Sequence, residues 1–283
     1  IGDPPNILIG SATGLSFNDF VTNLAPVVVV IMGLQLLATH LIWGRRMHAS
    51  DEARARVLDY RPADAITDHT LLWQSLSVLG LVITGFVTAR QTGLEPGTVA
   101  MFGAAWLMYL YIRGHHAEAQ SSHVHEVFGE VEWITIFFFV GLFMVVAGVE
   151  HAGLLELMAN GLMSATAGDP TITALVILWS SAILSAIIDN IPFVATMIPM
   201  IKNMAPTMGG PEGLMPLWWA LSLGACLGGN GTLVGASANL TVAGLAEREG
   251  VSFKFLTYTK LAFPLMLGSV AVAHVYLYFM FLR

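Results

Sequence analysis

Apolar positions in this chain form long runs broken by short polar stretches, and several runs reach membrane-spanning length. A helix crossing the hydrocarbon core needs about 20 mostly apolar residues. "FVTNLAPVVVVIMGLQLLATHLIWG" (20–44) and "TLLWQSLSVLGLVITGFVTA" (70–89) meet that length. "GTVAMFGAAWLMYLYI" (97–112) is shorter but reads as a span, as does "WITIFFFVGLFMVVAGV" (133–149). "TITALVILWSSAILSAII" (171–188) and a final run over 255–282 complete the apolar set. The intervening segments differ in kind. "HHAEAQSSHVHEVFGEVE" (115–132) is an amphipathic segment suited to a membrane interface, and "LLELMANGLMSA" (154–165) is a short amphipathic helix.

Composition agrees with this pattern. The 283 residues are 55% hydrophobic and 11% charged, too little charge to solvate a globule of this size. The net charge of −7 is scattered and no basic stripe occurs, which sets nucleic-acid binding aside. A single cysteine, Cys226, excludes an intrachain disulfide framework and a Cys-rich zinc site. Its flanks, "LGACLGG", suggest a small residue in a packed helix. The chain is therefore expected to be a multi-pass, all-α integral membrane protein, located in the bacterial inner (cytoplasmic) membrane.

Basic residues set the expected orientation. Arg45, Arg46, Arg54, Arg56 and Arg61 lie in the polar loop 45–69, placed in the cytoplasm. Threading from there puts Arg113, Arg248, Lys254 and Lys260 on the same side, with Arg90, Lys202 and Arg283 outside. This split requires residues 171–204 to enter and leave from one side, as a re-entrant hairpin tipped by "IIDNIPFVATMIP".

The chain also resembles itself. "IGDPPNILIGSATGLSFNDFVTNLAP" aligns with "VGASANLTVAGLAEREGVSFKFLTYTKLAFP", which begins at Val234. Gly2 pairs with Gly235, Asn6 with Asn239, Gly14-Leu15-Ser16-Phe17 with Gly250-Val251-Ser252-Phe253, and Pro26 with Pro264. In the expected topology the two long helices that follow run in opposite directions, a mark of inverted-repeat transporters. Residues 1–44 would then be the tail of repeat one, and 70–283 all of repeat two. Within it, 70–150 forms scaffold helices, 171–204 the hairpin, 214–249 a broken helix and 255–282 the last span. Because the first copy has no counterpart of the hairpin before it, the chain is expected to be the C-terminal part of a longer protein.

Three segments carry candidate chemistry. "CLGGNGTLVGASAN" (226–239) frees the backbone with glycines, including Gly228, Gly229, Gly231 and Gly235. It adds Asn230, Thr232, Ser237 and Asn239 as polar ligands. One half-helix should end near Leu227 with exposed carbonyls suited to a cation. Another should start near Ser237 or Ala238 with free N–H groups suited to an anion. Close helix packing is the structural alternative for the glycines. In the hairpin tip, Pro192 is expected to push Ile191 out of helical geometry. An ionised Asp189 at membrane depth costs roughly 2.5–3.5 kcal/mol and should face water, an ion or a proton path, with Asn190 and Thr196 beside it. Capping a helix that starts at Pro192 is the alternative role for Asp189. Asp3, with Pro4 and Pro5 opening a half-helix, is a second buried-acid candidate, joined by Asn6. The histidines at 115, 116, 123 and 125 lack zinc-protease spacing and read as a solvated face. Asn23, Gln35, His40 and His274 read as polar residues satisfied by neighbours. Trp218, Trp219, Tyr276 and Tyr278 fit interfacial anchors.

"IGDPPNILIGSA", "IIDNIPFVATMIPM" and "GACLGGNGTLVGASAN" together resemble the ion transporter superfamily, in its arsenite-pump/NhaD-type branch with a citrate transporter-like domain. The group of melanosomal P proteins and their bacterial relatives is the most similar in motif. The resemblance implies inverted repeats whose hairpins and broken helices meet near mid-membrane to hold substrate and coupling ion, and a homodimer. Carried over by position, the tip is Asp189-Asn190 with Pro192, and the loop is Gly228 to Asn239. Asp3 and Asn6 stand for repeat one. The dicarboxylate branch has Ser-Asn-Thr at its tips; this chain has Asp-Asn-Ile, which points away from a di- or tricarboxylate cargo.

The expected function is secondary active transport of a small ion by alternating access, coupled to Na⁺ or H⁺. Asp189, Asn190 and Asn230 are the expected Na⁺ ligands, and no other cofactor is expected. An arsenite or other anion efflux permease, a citrate-type carboxylate transporter and a channel-like subunit are the alternatives. A membrane hydrolase would need a nucleophile and base at matching depth, and no such pairing is legible.

Overall fold

The computed structural model describes residues 3–46, 50–59, 66, 68–248 and 250–283. Gly2 of the repeat alignment, Arg61 of the basic loop and Glu249 fall outside them. Among the described residues the regular structure is helical. In order, the helices are α1 (Pro4–Thr13), α2 (Phe17–Trp43), α3 (Asp51–Asp59), α4 (His69–Val87) and α5 (Ala89–Thr92). There follow α6 (Pro96–Ile112), α7 (Ala117–Gly129), α8 (Trp133–His151), α9 (Leu154–Ala165) and α10 (Pro170–Ile187). The last are α11 (Asn190–Lys202), α12 (Met215–Gly228), α13 (Ser237–Arg248) and α14 (Phe255–Phe281). Five of these, α2, α4, α8, α10 and α14, are long and apolar enough to cross a membrane. The protein is an all-α polytopic membrane protein.

The chain forms two compact units: Ser16–Asn18 with Ala38–Ile136, and Ile1–Leu15, Asp19–Leu37 with Phe137–Arg283. In the first, α4 and α6 pack through glycines. A β-carbon on Gly103 would lie 2.3 Å from Val82, and one on Gly85 2.6 Å from Val99. Close approach of this kind substitutes for hydrophobic drive, since lipid is as apolar as the helices.

The second unit is built around α10 and α12. On α10 the buried residues recur at helical spacing: Thr173, Ala174, Ile177, Leu178, Ser181, Ala182, Ser185 and Ala186. On α12 burial runs unbroken from Leu217 to Ala225, as it must for a helix apolar on every side. Gly224 and Gly228 are the contact points: a β-carbon there would sit 2.5 Å from Leu178 O and 2.3 Å from Ala182 O. The packing role weighed for these glycines is thus real for Gly228. Trp218 and Trp219, expected at the interface, are instead 3% and 2% exposed. Trp219 packs edge-on to Phe20 at 5.4 Å and tilted against Phe281 at 6.1 Å. Buried area outweighs the interfacial preference of indole here.

The internal resemblance has structural counterparts. α2 and α14 are each 27 residues long with a proline at the tenth position, Pro26 and Pro264. The short helices before them, α1 and α13, are followed by Gly14 at φ 76° and Gly250 at φ 79°, left-handed conformations that favour glycine. Gln35 Nε2 donates to Leu265 O and Ser269 Oγ, both at 2.7 Å, while Tyr276 OH donates to Asn23 O at 2.7 Å. Rising numbers on α2 meet falling numbers on α14, so the two helices pack antiparallel. Asn23 Nδ2 also donates to Asp19 O, and Trp179 Nε1 to His274 Nδ1 at 3.0 Å, so these polar side chains are satisfied by neighbours.

Candidate functional site

α10 stops at Ile187, and the break falls at Ile188, which is extended (ψ 141°), and Asp189 (φ −49°, ψ 135°). α11 resumes at Asn190, so Ile191 is helical and the expected disruption by Pro192 does not occur. The reason is position. Proline in the first helical turn removes an N–H that has no intrahelical acceptor. Asp189 is the cap of this helix, accepting from Ile191 N at 2.9 Å. Thr196 Oγ1 donates to Pro192 O at 3.0 Å, a bond within its own helix.

The start of α1 is built from the same parts. Asp3 is its N-cap residue and prolines follow at the first two helical positions, yet the Asp3 side chain does not cap its own helix. It accepts instead from Asn190 Nδ2 at 3.3 Å. Asn190 is 4% exposed. The N-terminal ends of α1 and α11 therefore meet, each carrying about half a positive charge from its backbone dipole. Each also carries its own aspartate. Asn6, three residues into α1, is 5% exposed. Its Oδ1 accepts from Ser222 Oγ and, at 3.7 Å, from Cys226 Sγ. Asp3, Asn6 and Asn190 thus belong to one polar cluster.

The second cluster is the glycine loop between α12 and α13. α12 ends at Gly228 and α13 begins at Ser237, within one residue of the sequence expectation. The loop crosses itself where Gly229 meets Gly235. A β-carbon on either would lie within 2.8 Å of the other's carbonyl oxygen. Asn239 Nδ2 donates to Gly229 O at 3.0 Å and Thr232 O at 2.9 Å. Thr232 Oγ1 donates to Ala186 O and accepts from Gly235 N at 3.1 Å. Ser185 Oγ donates to Ala225 O at 2.7 Å and Asn230 Nδ2 to Cys226 O at 3.4 Å. At the end of α12 the carbonyls of Ala225 and Cys226 therefore accept side-chain donors. Buried backbone must be satisfied, and Thr232, Ser185 and Asn239 do this while tying the loop to α10. Gly231 packs against Met266, whose Cε would lie 2.9 Å from an added β-carbon. Ser237 and Asn230 are exposed. The hydrogen bonds of Asn230 run to Cys226 O and from Tyr258 OH (3.5 Å), so they do not reach Asp189 or Asn190.

Two residues that sequence reading passed over enter the site: Ser222, unremarked, and Cys226, read only as small. Their spacing of four on one helix was the available signal. In the other unit, the rings of His115 and His123 lie 4.8 Å apart, and His123 Nδ1 is 3.3 Å from Tyr111 OH. Among the described residues no group of three or more His, Cys, Asp or Glu is placed to hold a metal ion.

The family model described as "Citrate transporter" matches residues 1–224. An uncharacterized transporter of Mycobacterium tuberculosis is 37% identical over 98% of this chain and 62% of its own length. The 46 kDa membrane protein of Mycobacterium leprae is 34% identical over 100% of this chain and 64% of its own. The human P protein is 36% identical over 88% of this chain and 30% of its own. The chain spans about three fifths of the length of the mycobacterial relatives it matches.

Proposed function

The chain belongs to the citrate transporter family, and from that premise we propose that it works in secondary active transport of a small ion, coupled to Na⁺ or H⁺, and not as an enzyme. The observation that carries this reading is the Asp3–Asn190 contact at 3.3 Å. It joins one end of the repeated segment to the break between α10 and α11, and it gathers acidic and amide groups at two helix starts. Helix lengths support broken elements at membrane depth. α1, α11, α12 and α13 have 10, 13, 14 and 12 residues, short of the ~20 a crossing needs. The antiparallel packing of α2 and α14 supports an inverted repeat. A re-entrant hairpin over 171–204 accords with the break at Ile188-Asp189.

Asp3 and Asp189 are the proposed coupling-ion carboxylates, with Asn190 between them. The braced loop from Gly228 to Asn239 is the proposed rigid wall, and alternating access the proposed mechanism. Homodimer formation and a place in the bacterial inner membrane belong to the same reading. A carboxylate anion as cargo is a second reading, favoured by the family match. Flux in proteoliposomes containing the intact protein tests both: Na⁺ and H⁺ gradients are imposed in turn, with citrate, chloride and arsenite as separate cargoes. Gradient-driven, saturable uptake of one of them is the expected result. Unsaturable currents without coupling would sink the proposal in favour of a channel.

A further inference from the structure

Ser222 and Cys226 sit one turn apart on α12, a helix otherwise formed of apolar residues, glycine and one proline. Both donate to the same atom, Asn6 Oδ1. Ser222 is 1% exposed, so this is a dry contact. A carboxamide oxygen has two lone pairs, and two donors fill them. What Asn6 can offer to anything else is its N–H₂ end. A flipped amide would set N–H groups against a thiol, which is a weak acceptor. The main chain fixes the same residue, since Asn6 N donates to Asp3 O at 2.9 Å.

Resting on the transport reading above, we propose that Ser222 and Cys226 are positioning residues that hold Asn6 with its amide N–H₂ group as the donor for a transported anion. Asparagine by itself can turn oxygen to a cation or N–H to an anion. The α12 pair removes the first option. Carboxylates for a cation stand nearby at Asp3 and Asp189, so the two ion types would meet different groups of one cluster. The ligand chemistry selected at Asn6 is a hydrogen-bond-accepting anion, either a carboxylate or a halide.

Cys226 is the chain's one cysteine, so its S–H stretch in the infrared reports this contact without any transport assay. Asp3 is a second acceptor beside the thiol, so the band is read in an Asp3→Ala background, where Asn6→Leu should move it to higher frequency as the thiol loses its remaining acceptor. Asn6→Asp keeps an acceptor oxygen and should not weaken the S–H bond's partner. In proteoliposomes, with labelled citrate and labelled chloride as separate probes, Ser222→Ala/Cys226→Ala should raise the KM of the transported probe by about tenfold with little change in maximal rate. Asn6→Asp should do the same, because it removes the donor. Cys226→Ser supplies a hydroxyl donor and should keep the wild-type KM. If the double variant does not fold, Cys226→Ala alone serves, with a smaller rise. A band unmoved in Asn6→Leu overturns the clamp. A moved band with unchanged KM in the Ala and Asp variants overturns its role in anion binding. A moved band with neither probe carried by the wild type keeps the clamp and overturns the choice of anion.

Discussion

Asn190 Nδ2 donates to the carboxylate of Asp3 at 3.3 Å, a contact across 187 positions of sequence. A hydrogen bond to a charged group is worth about 1.5–3 kcal/mol, more than most neutral pairs. It links two helix starts that each carry an aspartate, and the predictions below begin from it.

A double-mutant cycle with Asp3→Ala and Asn190→Ala should give a coupling energy of about 1–2 kcal/mol in denaturant unfolding of the detergent-solubilised protein. Additive effects would mean the contact contributes nothing to stability.

Asp189→Asn should preserve the fold and abolish coupled ion flux, because asparagine caps a helix as well as aspartate but carries no charge. Asp189→Ala should in addition lower stability by about 1 kcal/mol, read as a lower melting temperature. Wild-type flux in Asp189→Asn would remove the residue from the coupling site.

Gly228→Ala should destabilise the second unit strongly, since the new methyl would meet Ala182 O at 2.3 Å and both atoms lie on packed helices. Gly244→Ala on α13 is the control. Nothing lies within 4 Å of its added β-carbon, and alanine should be neutral or stabilising by up to ~1 kcal/mol. Folded yield by size-exclusion chromatography separates the two. Equal yields would contradict the close α10–α12 approach.

Thr232→Val removes the bond to Ala186 O and the acceptor for Gly235 N. Faster hydrogen exchange across residues 229–236 is expected, with Thr232→Ser near wild type. Unchanged exchange in Thr232→Val would show that the loop is held by Asn239 alone.

Gln35→Leu should weaken the α2–α14 pairing by about 0.6–1.7 kcal/mol, the range for interhelical polar contacts in membranes. Thermal unfolding measures it. A gain in stability would mean the apolar replacement packs better than the polar lock.

Most of the helices were legible from hydropathy, because a span must be apolar over its whole length whatever it packs against. The interruption between α12 and α13 was legible too: clustered glycines with polar residues free the backbone, and the observed ends at Gly228 and Ser237 fall where that argument puts them. Two local rules misled. A proline was assumed to disrupt the residue before it, but Pro192 lies in a first turn where its missing N–H costs little. Paired tryptophans were assumed to be anchors, but Trp218 and Trp219 fill the space between α12, Phe20 and Phe281. Ser222 and Cys226 were legible only as a pair spaced four apart on one helix, because a small polar residue on an apolar helix gains its meaning from the neighbour it meets.

The sequence by itself determined that this is a polytopic helical membrane protein with a break near Asp189 and a glycine loop. Each of those follows from interactions within a few residues or from transfer into lipid. Only the tertiary structure decided which polar groups are engaged. It turned Asp3 away from its own helix and toward Asn190, closed Thr232 and Asn239 onto backbone carbonyls, and set two donors on Asn6. Those choices depend on distances between segments up to 220 residues apart, and hydrogen bonds act only at contact, so no local pattern encodes them.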